Sequence, residues 1–201
     1  VEQEFADYFG DGSEAIKRYV DILLDRGIGW GLMGPREGDR LWERHVLNSV
    51  AGAGLIPYGA TVVDVGSGAG LPGIPLAVLR PDLMVTLLES LERRFSFLEL
   101  AAAELGLGGR VRVVRGRAEE HREQYQAVLS RAVAPLPKLL DWCAPLRSEF
   151  GKVLALKGVS AATELSEARA VLKKLRLVGQ VHELAVPVVG GVTWVIEAGT
   201  R

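Results

Sequence analysis

From Thr61 onward the chain alternates short β-branched apolar runs with longer amphipathic ones, which predicts strands over 61–65, 83–88, 111–115, 127–130 and 152–156. Helices are predicted over 72–80, 136–143 and 161–175, and a further one where Leu91, Phe95, Leu98, Ala102 and Leu105 recur at spacings of four and three. The last two apolar runs, "LRLVGQVHELAVP" and "VTWVIEAG", flank "VVGG" with no room for a crossover helix, so they should pair as an antiparallel hairpin. Ahead of Thr61, helices are predicted over 13–26 and 39–51, the second with Asp39 as N-cap and with Trp42, Val46 and Val50 at i, i+4 and i+8. Between them "GIGWGLMGPREG" reads as a mobile surface loop. The pattern predicts a doubly wound, mostly parallel α/β sheet with helices on both faces, ending in a hairpin. Residues 1–55 would form a short N-terminal helical cap, and residues 56–201 one compact unit.

Composition changes this picture little. The 201 residues are 48% hydrophobic and 24% charged, as in an ordinary folded domain. A formal net charge of -1 gives no global field for nucleic acid, so any such partner must meet a local basic patch. One cysteine, Cys143, and three histidines offer neither an internal disulfide nor a zinc-type cluster, so no metal is expected. The start "VEQEFADYFG" lacks a signal peptide's basic end and apolar core, and the longest uncharged stretch, 46–63, contains Asn48, Ser49, Pro57 and several glycines. A cytoplasmic monomer with no membrane span is the expectation.

Chemistry concentrates at "DVGSGAGLPG", Asp64 to Gly73, directly after the first strand. In open α/β sheets ligands lie beyond the carboxyl ends of the strands, and a glycine turn lets them approach the backbone closely. Two cofactor classes compete. Gly68, Gly70 and Gly73 spell a dinucleotide fingerprint, with Glu89 at the spacing of a ribose-binding acid. In register with the strand end, however, the turn reads Gly66, Gly68, Gly70 with Leu71 in the third-glycine place, and Pro72 and Pro75 remove amide donors that a pyrophosphate would use. S-adenosylmethionine, which has no phosphate, loses less. A Rossmann-like sheet that ends in a hairpin also fits methyltransferases better than dinucleotide enzymes. Arg117, Arg131 and Lys157 follow the third, fourth and fifth strands and are expected to converge on the crevice as the missing basic patch.

The stretches "LWERHVLNS", "VDVGSGAGLPGIPLAVLRPD", "LLESLERRFSFL", "GRAEE", "SRAVAPL" and "ALKG", in that order, resemble the RsmG (GidB, glucose-inhibited division protein B) family of bacterial methyltransferases of small-subunit ribosomal RNA. The resemblance spans nearly the whole chain. It implies methyl transfer from S-adenosylmethionine to N7 of a guanine in 16S rRNA, with the rRNA or the small ribosomal subunit as partner. Asp64, Gly66, Gly68 and Leu71 would then line the cofactor, Glu89 would hold its ribose, and Ala118 and Glu119 would border the adenine. Arg131 would sit beside the methionine end or the target, and Arg44, His45, Arg117 and Lys157 would contact RNA or the target base.

Guanine N7 carries an in-plane lone pair, so its methylation needs alignment rather than a general base, and no base is evident. Exocyclic-amine methylation usually goes with an Asn/Asp-Pro-Pro-aromatic turn after the fourth strand, where this chain has Ser130-Arg131-Ala132. Pyrimidine C5 methylation needs a nucleophilic cysteine, and Cys143 reads as a core residue. Arg40, Arg44 and Asn48 form a polar face opposite Trp42, Arg93 and Arg94 are candidates for further phosphate contacts with Arg94 read rather as a solvated cation, and His121 and His182 read as structural. A small-molecule methyltransferase and a dinucleotide-binding oxidoreductase remain the alternatives.

Overall fold

The computed structural model describes residues 2–131 and 133–200, without the side chains of Pro35 and Asp39. Strands β1 (Thr61–Val65), β2 (Met84–Glu89), β3 (Val111–Arg115), β4 (Tyr125–Arg131), β5 (Arg147–Lys157), β6 (Val178–Ala185) and β7 (Val192–Gly199) form one sheet in the order β3-β2-β1-β4-β5-β7-β6. The first five run parallel, and β7 inserts antiparallel between β5 and β6, so the hairpin is present and its second strand is the inner one. The chain winds outward from β1 to β3, then returns to lay β4 on the other side of β1. That reversal leaves a crevice at the carboxyl ends of β1 and β4.

Period-2 alternation divides the sheet's side chains between two cores. Val62, Leu87, Leu129, Leu154 and Leu156 share one apolar cluster with Ile16, Tyr19, Val20 and Leu23 of the N-terminal segment and Phe97 and Ala101 of a later helix. Val63, Val65, Val128, Val153 and Ala155 share the other with Leu136, Leu140, Cys143 and Leu172. The first face thus carries α1 (Glu2–Asp7), α2 (Ser13–Ile22), α3 (Asn48–Val50), α4 (Gly73–Leu79) and α5 (Glu92–Glu104). The second carries α6 (Leu136–Cys143), α7 (Ala161–Glu167) and α8 (Arg169–Leu175). Arg80 ties the approach to β1 onto the sheet, donating to the Ala53 carbonyl at 2.9 Å and gripping Asp82 through two bonds of 2.7 Å.

Four local expectations are corrected. The helix predicted over 39–51 is a 3-10 turn Pro35–Arg40, a π-helical stretch Leu41–Leu47 and then α3, with Arg40 rather than Asp39 at the cap of the π segment; the Asp39 side chain lies outside those described. The predicted surface loop is anchored by its own apolar residues: Leu32 and Met33 pack on the core, and the Trp30 ring meets Phe97 edge-on at 6.0 Å. In α5 the buried stripe is Phe97, Leu98, Ala101 and Ala102, while Leu91 is exposed and Phe95 only half-buried. The helix predicted over 161–175 breaks at Ala168 into α7 and α8.

Candidate active site

The turn after β1 is built around two glycines that tolerate no side chain. A Cβ at Gly70 (φ +97°) would come within 3.0 Å of the Tyr19 hydroxyl, and one at Gly73 would stand 2.8 Å from Asp64 Oδ2. Those neighbours hold the turn: Tyr19 donates to the Ala69 carbonyl at 2.7 Å, and the Gly73 amide donates to Asp64 Oδ2 at 2.9 Å. Asp64 therefore lies beneath the turn, fully buried, and burial pushes its carboxyl up to about 7. The next amide, Ile74, bonds the Gly70 carbonyl at 2.8 Å, and Pro75 has none. A pyrophosphate would thus find these first donors of α4 already engaged.

Gly68 differs from its neighbours. A Cβ there would meet nothing nearer than the Gly66 carbonyl at 3.9 Å, because that side of the turn faces open space. Its amide donates to Glu89 Oε2 at 3.0 Å, while Leu91 donates to Oε1 at 2.9 Å, so Glu89, at the end of β2, is buried with both oxygens oriented by backbone. Each oxygen keeps a lone pair for a hydroxyl donor.

Both groups wall a cleft of about 580 Å³ at the carboxyl ends of β1, β2 and β4. The turn from Gly66 to Ala69 with Leu71 forms one side, Glu89 to Leu91 with Arg94 a second, and Leu32, Met33, Gly34 and Glu37 a third. His45, Arg131 and Val133 complete it. Arg131, at the end of β4, donates to the His45 carbonyl at 3.3 Å, to Ser49 Oγ at 3.2 Å and to His45 Nδ1. His45 Nε2 lies 2.6 Å from a carboxylate oxygen of Glu37, whose other oxygen is 3.7 Å from Arg44. Burial holds the His45 imidazole below its ordinary value despite the Glu37 carboxylate, with Arg131 acting in the same direction as burial.

Of the residues singled out from sequence, Gly66, Gly68, Leu71, Glu89, His45 and Arg131 wall this cleft, and Arg44 reaches it through Glu37. The Gly116 amide bonds the Glu89 carbonyl at 3.0 Å and brings the following loop alongside, yet Ala118 packs on the second apolar cluster, and Arg117 and Glu119 are exposed outside the cleft walls. The expected convergence of three cations is not what the sheet builds. Lys157 pairs in parity with Val153 and Ala155 and so faces the α6–α7 side, where it bonds the Ala134 carbonyl at 3.0 Å and Glu164 at 2.7 Å. Arg131 shares parity with Leu129 and points to the opposite face. Glu37, Ser49, Tyr19 and Arg94 complete the cleft or its support, though the sequence reading assigned no role to the first three. Elsewhere His121 stacks on Tyr125 and bonds its hydroxyl at 2.8 Å, His182 bonds Glu197 at 3.0 Å, and burial pushes the Cys143 thiol up to about 12.

Comparison with known proteins places this architecture. The model of the GidB family, described as rRNA small subunit methyltransferase G, matches residues 12–190. The chain is 50% identical over 198 residues to ribosomal RNA small subunit methyltransferase G of Salinispora arenicola, covering 94% of this chain and 82% of that one. It is 54% identical over 170 residues to the protein of the same name from Thermobifida fusca, covering 84% and 71%. Among solved structures, the O-methyltransferase NcsB1 of neocarzinostatin biosynthesis, in complex with S-adenosylmethionine, superposes with a TM-score of 0.65 at 20% identity over 88% of this chain. This chain spans 60% of NcsB1, and 66% of the Bacillus subtilis tRNA methyltransferase TrmK, which has a TM-score of 0.60 at 18% identity over 79% of this chain. These distant likenesses share the fold. The matches to relatives at half identity and to the family model over most of its length show that the chain belongs to the GidB family of rRNA small subunit methyltransferases.

Proposed function

We propose that the cleft binds S-adenosylmethionine and that the enzyme transfers its methyl group to N7 of a guanine in 16S rRNA. The observation that carries the reading is the junction, in one cleft, of an open glycine turn and an oriented carboxylate with a half-buried arginine. The residues fit this cofactor: Gly68 leaves room against the backbone, and the free lone pairs of Glu89 suit ribose hydroxyls. Gly66 and Leu71 supply further wall, and Ala118 and Glu119 would lie on the adenine side. When bound, the cofactor supplies a methyl group on positively charged sulfur, ready for a nucleophile that needs no deprotonation.

The protein's part is then alignment. A guanine turned out of its stack offers O6 to donors while N7 receives the methyl group, and arginine is the side chain suited to that edge. Arg131 lines the cleft, and its N–H groups beyond those bonded to His45 and Ser49 would meet this requirement. Arg44 would contact the base or its phosphate, with Arg117 further out, whereas His45 has both ring nitrogens engaged by Glu37 and Arg131, and Lys157 is engaged by Glu164 on the other face. The dinucleotide alternative is disfavoured by the engaged amides at the start of α4.

The test is transfer of a labelled methyl group from S-adenosylmethionine to 30S subunits and to naked 16S rRNA, both from cells lacking this protein. Label recovered as 7-methylguanosine is the expected result. An enzyme that binds the cofactor yet labels neither RNA would instead be a small-molecule methyltransferase.

A further inference from the structure

We propose that Glu37 is a positioning residue, which fixes the tautomer of His45 and through it holds the Arg131 guanidinium in place on the cleft wall. The inference rests on reading that cleft as the methyl-transfer site. Arg131 is half-buried, and the side-chain partners the structure gives it by hydrogen bonding are a hydroxyl and an imidazole rather than a carboxylate. A guanidinium has donors and no acceptor, so its bond to His45 Nδ1 requires a lone pair on that nitrogen. The neutral ring must then carry its proton on Nε2, and the group at that nitrogen is the Glu37 carboxylate, 2.6 Å away. The chain of contacts runs in one direction: Nε2–H donates to Glu37, Nδ1 accepts from Arg131, and Ser49, which bonds the His45 carbonyl, accepts a second guanidinium hydrogen at 3.2 Å.

Removing the Glu37 carboxylate frees the Nδ1–H tautomer, which sets a donor against a donor at Arg131. Protonating His45 has the same effect. The charged groups facing His45 are Glu37, Arg44 and Arg131, and Tyr19 and Asp64 stand behind Arg131. Of these only Glu37 favours the charged ring directly, and burial outweighs it. Glu37 belongs to the 3-10 turn Pro35–Arg40, next to Leu32, Met33 and Gly34, so the same bond fastens that wall of the cleft to β4 through His45 and Arg131.

Three histidines make the ring nitrogens assignable by 15N NMR on histidine-labelled protein, a readout independent of methyl transfer. Wild-type His45 is expected as the neutral Nε2–H tautomer, titrating below an ordinary histidine. In Glu37→Ala the Nδ1–H tautomer should become populated, and kcat for rRNA methylation should fall about tenfold while cofactor affinity changes less than about twofold, as for removal of an orienting partner. Glu37→Gln, whose amide oxygen still accepts from Nε2–H, should recover most of both. An unchanged His45 tautomer and titration in Glu37→Ala, or an Nδ1–H tautomer in the wild type, would overturn the assignment. Were the wild type to label no RNA, the proposed function would fail while the NMR arm still decided the role of Glu37.

Discussion

Asp64 bonds the Gly73 amide with Oδ2 and leaves Oδ1 buried without a hydrogen-bond partner among the described residues. That asymmetry makes its protonation state a stability variable. Its carboxyl ionises near an ordinary 3.8 in the unfolded chain and near 7 in the folded one, so between these values the folded state binds the extra proton and loses stability as pH rises. The slope from this residue reaches at most roughly 1.4 kcal/mol per pH unit. Denaturant titrations from pH 4 to 8 should show wild type losing stability relative to Asp64→Asn across that window and running parallel above it. Gly68→Asp tests the open side of the same turn: the new carboxylate would occupy the cleft beside Glu89, so calorimetry should show cofactor binding abolished in a protein that still folds. Retained affinity would move the cofactor elsewhere. At this scale Glu89 and the glycines were legible in sequence because a strand end and a turn place them without knowledge of the rest. Glu37 was not, because nothing in "PREGDRLWERH" announces that a carboxylate eight residues back will meet the outer nitrogen of His45.

At the scale of elements, a hydrogen bond from Tyr19 to the Ala69 carbonyl joins α2 to the glycine turn. Tyr19→Phe keeps the ring in its buried site and removes only the donor, at a cost of about 1–2 kcal/mol for the carbonyl left unpaired. Because that carbonyl lies in the turn, affinity for S-adenosylmethionine should fall several-fold in the same variant. Unchanged affinity with lowered stability would confine α2 to a packing role. Strands β1 and β3 and helix α6 appear at the ranges read from sequence, each short run being bounded by glycine, proline or charge. The face of α5 was misread for a physical reason: "FSFLELAAAEL" carries apolar residues in two overlapping phases, and the choice falls to Trp30, which meets Phe97 from a segment that periodicity describes only as loop. The π-helical stretch Leu41–Leu47 has no signature in apolar spacing either, since Trp42 and Val46 are buried as an α-helix would bury them.

On the scale of the whole molecule, the sheet decides which cations share the cleft. Arg131 and Lys157 each end a strand near the crevice, but strand parity sends them to opposite faces, and parity relative to the helices needs the β4–β5 register. Arg94 instead lies on the cleft wall with no ion-pair partner among the described residues. With Arg44 it should supply local attraction for rRNA on a chain of net charge -1. Arg94→Ala should weaken rRNA binding and reduce the slope of log affinity against log salt by about 0.7–0.9 for each phosphate left without its cation. Lys157→Ala should leave that slope unchanged, since its charge already faces Glu164. An altered slope in the Lys157 variant alone would place the RNA on the α7 side. The insertion of β7 between β5 and β6 also imposes an order on synthesis. The strand that β6 pairs with is made after it, so during translation β6 leaves the ribosome before its native neighbour exists, and β5 waits with its outer edge open. Five parallel strands can assemble as they emerge, but the sheet closes only when β7 arrives and captures both neighbours in one step.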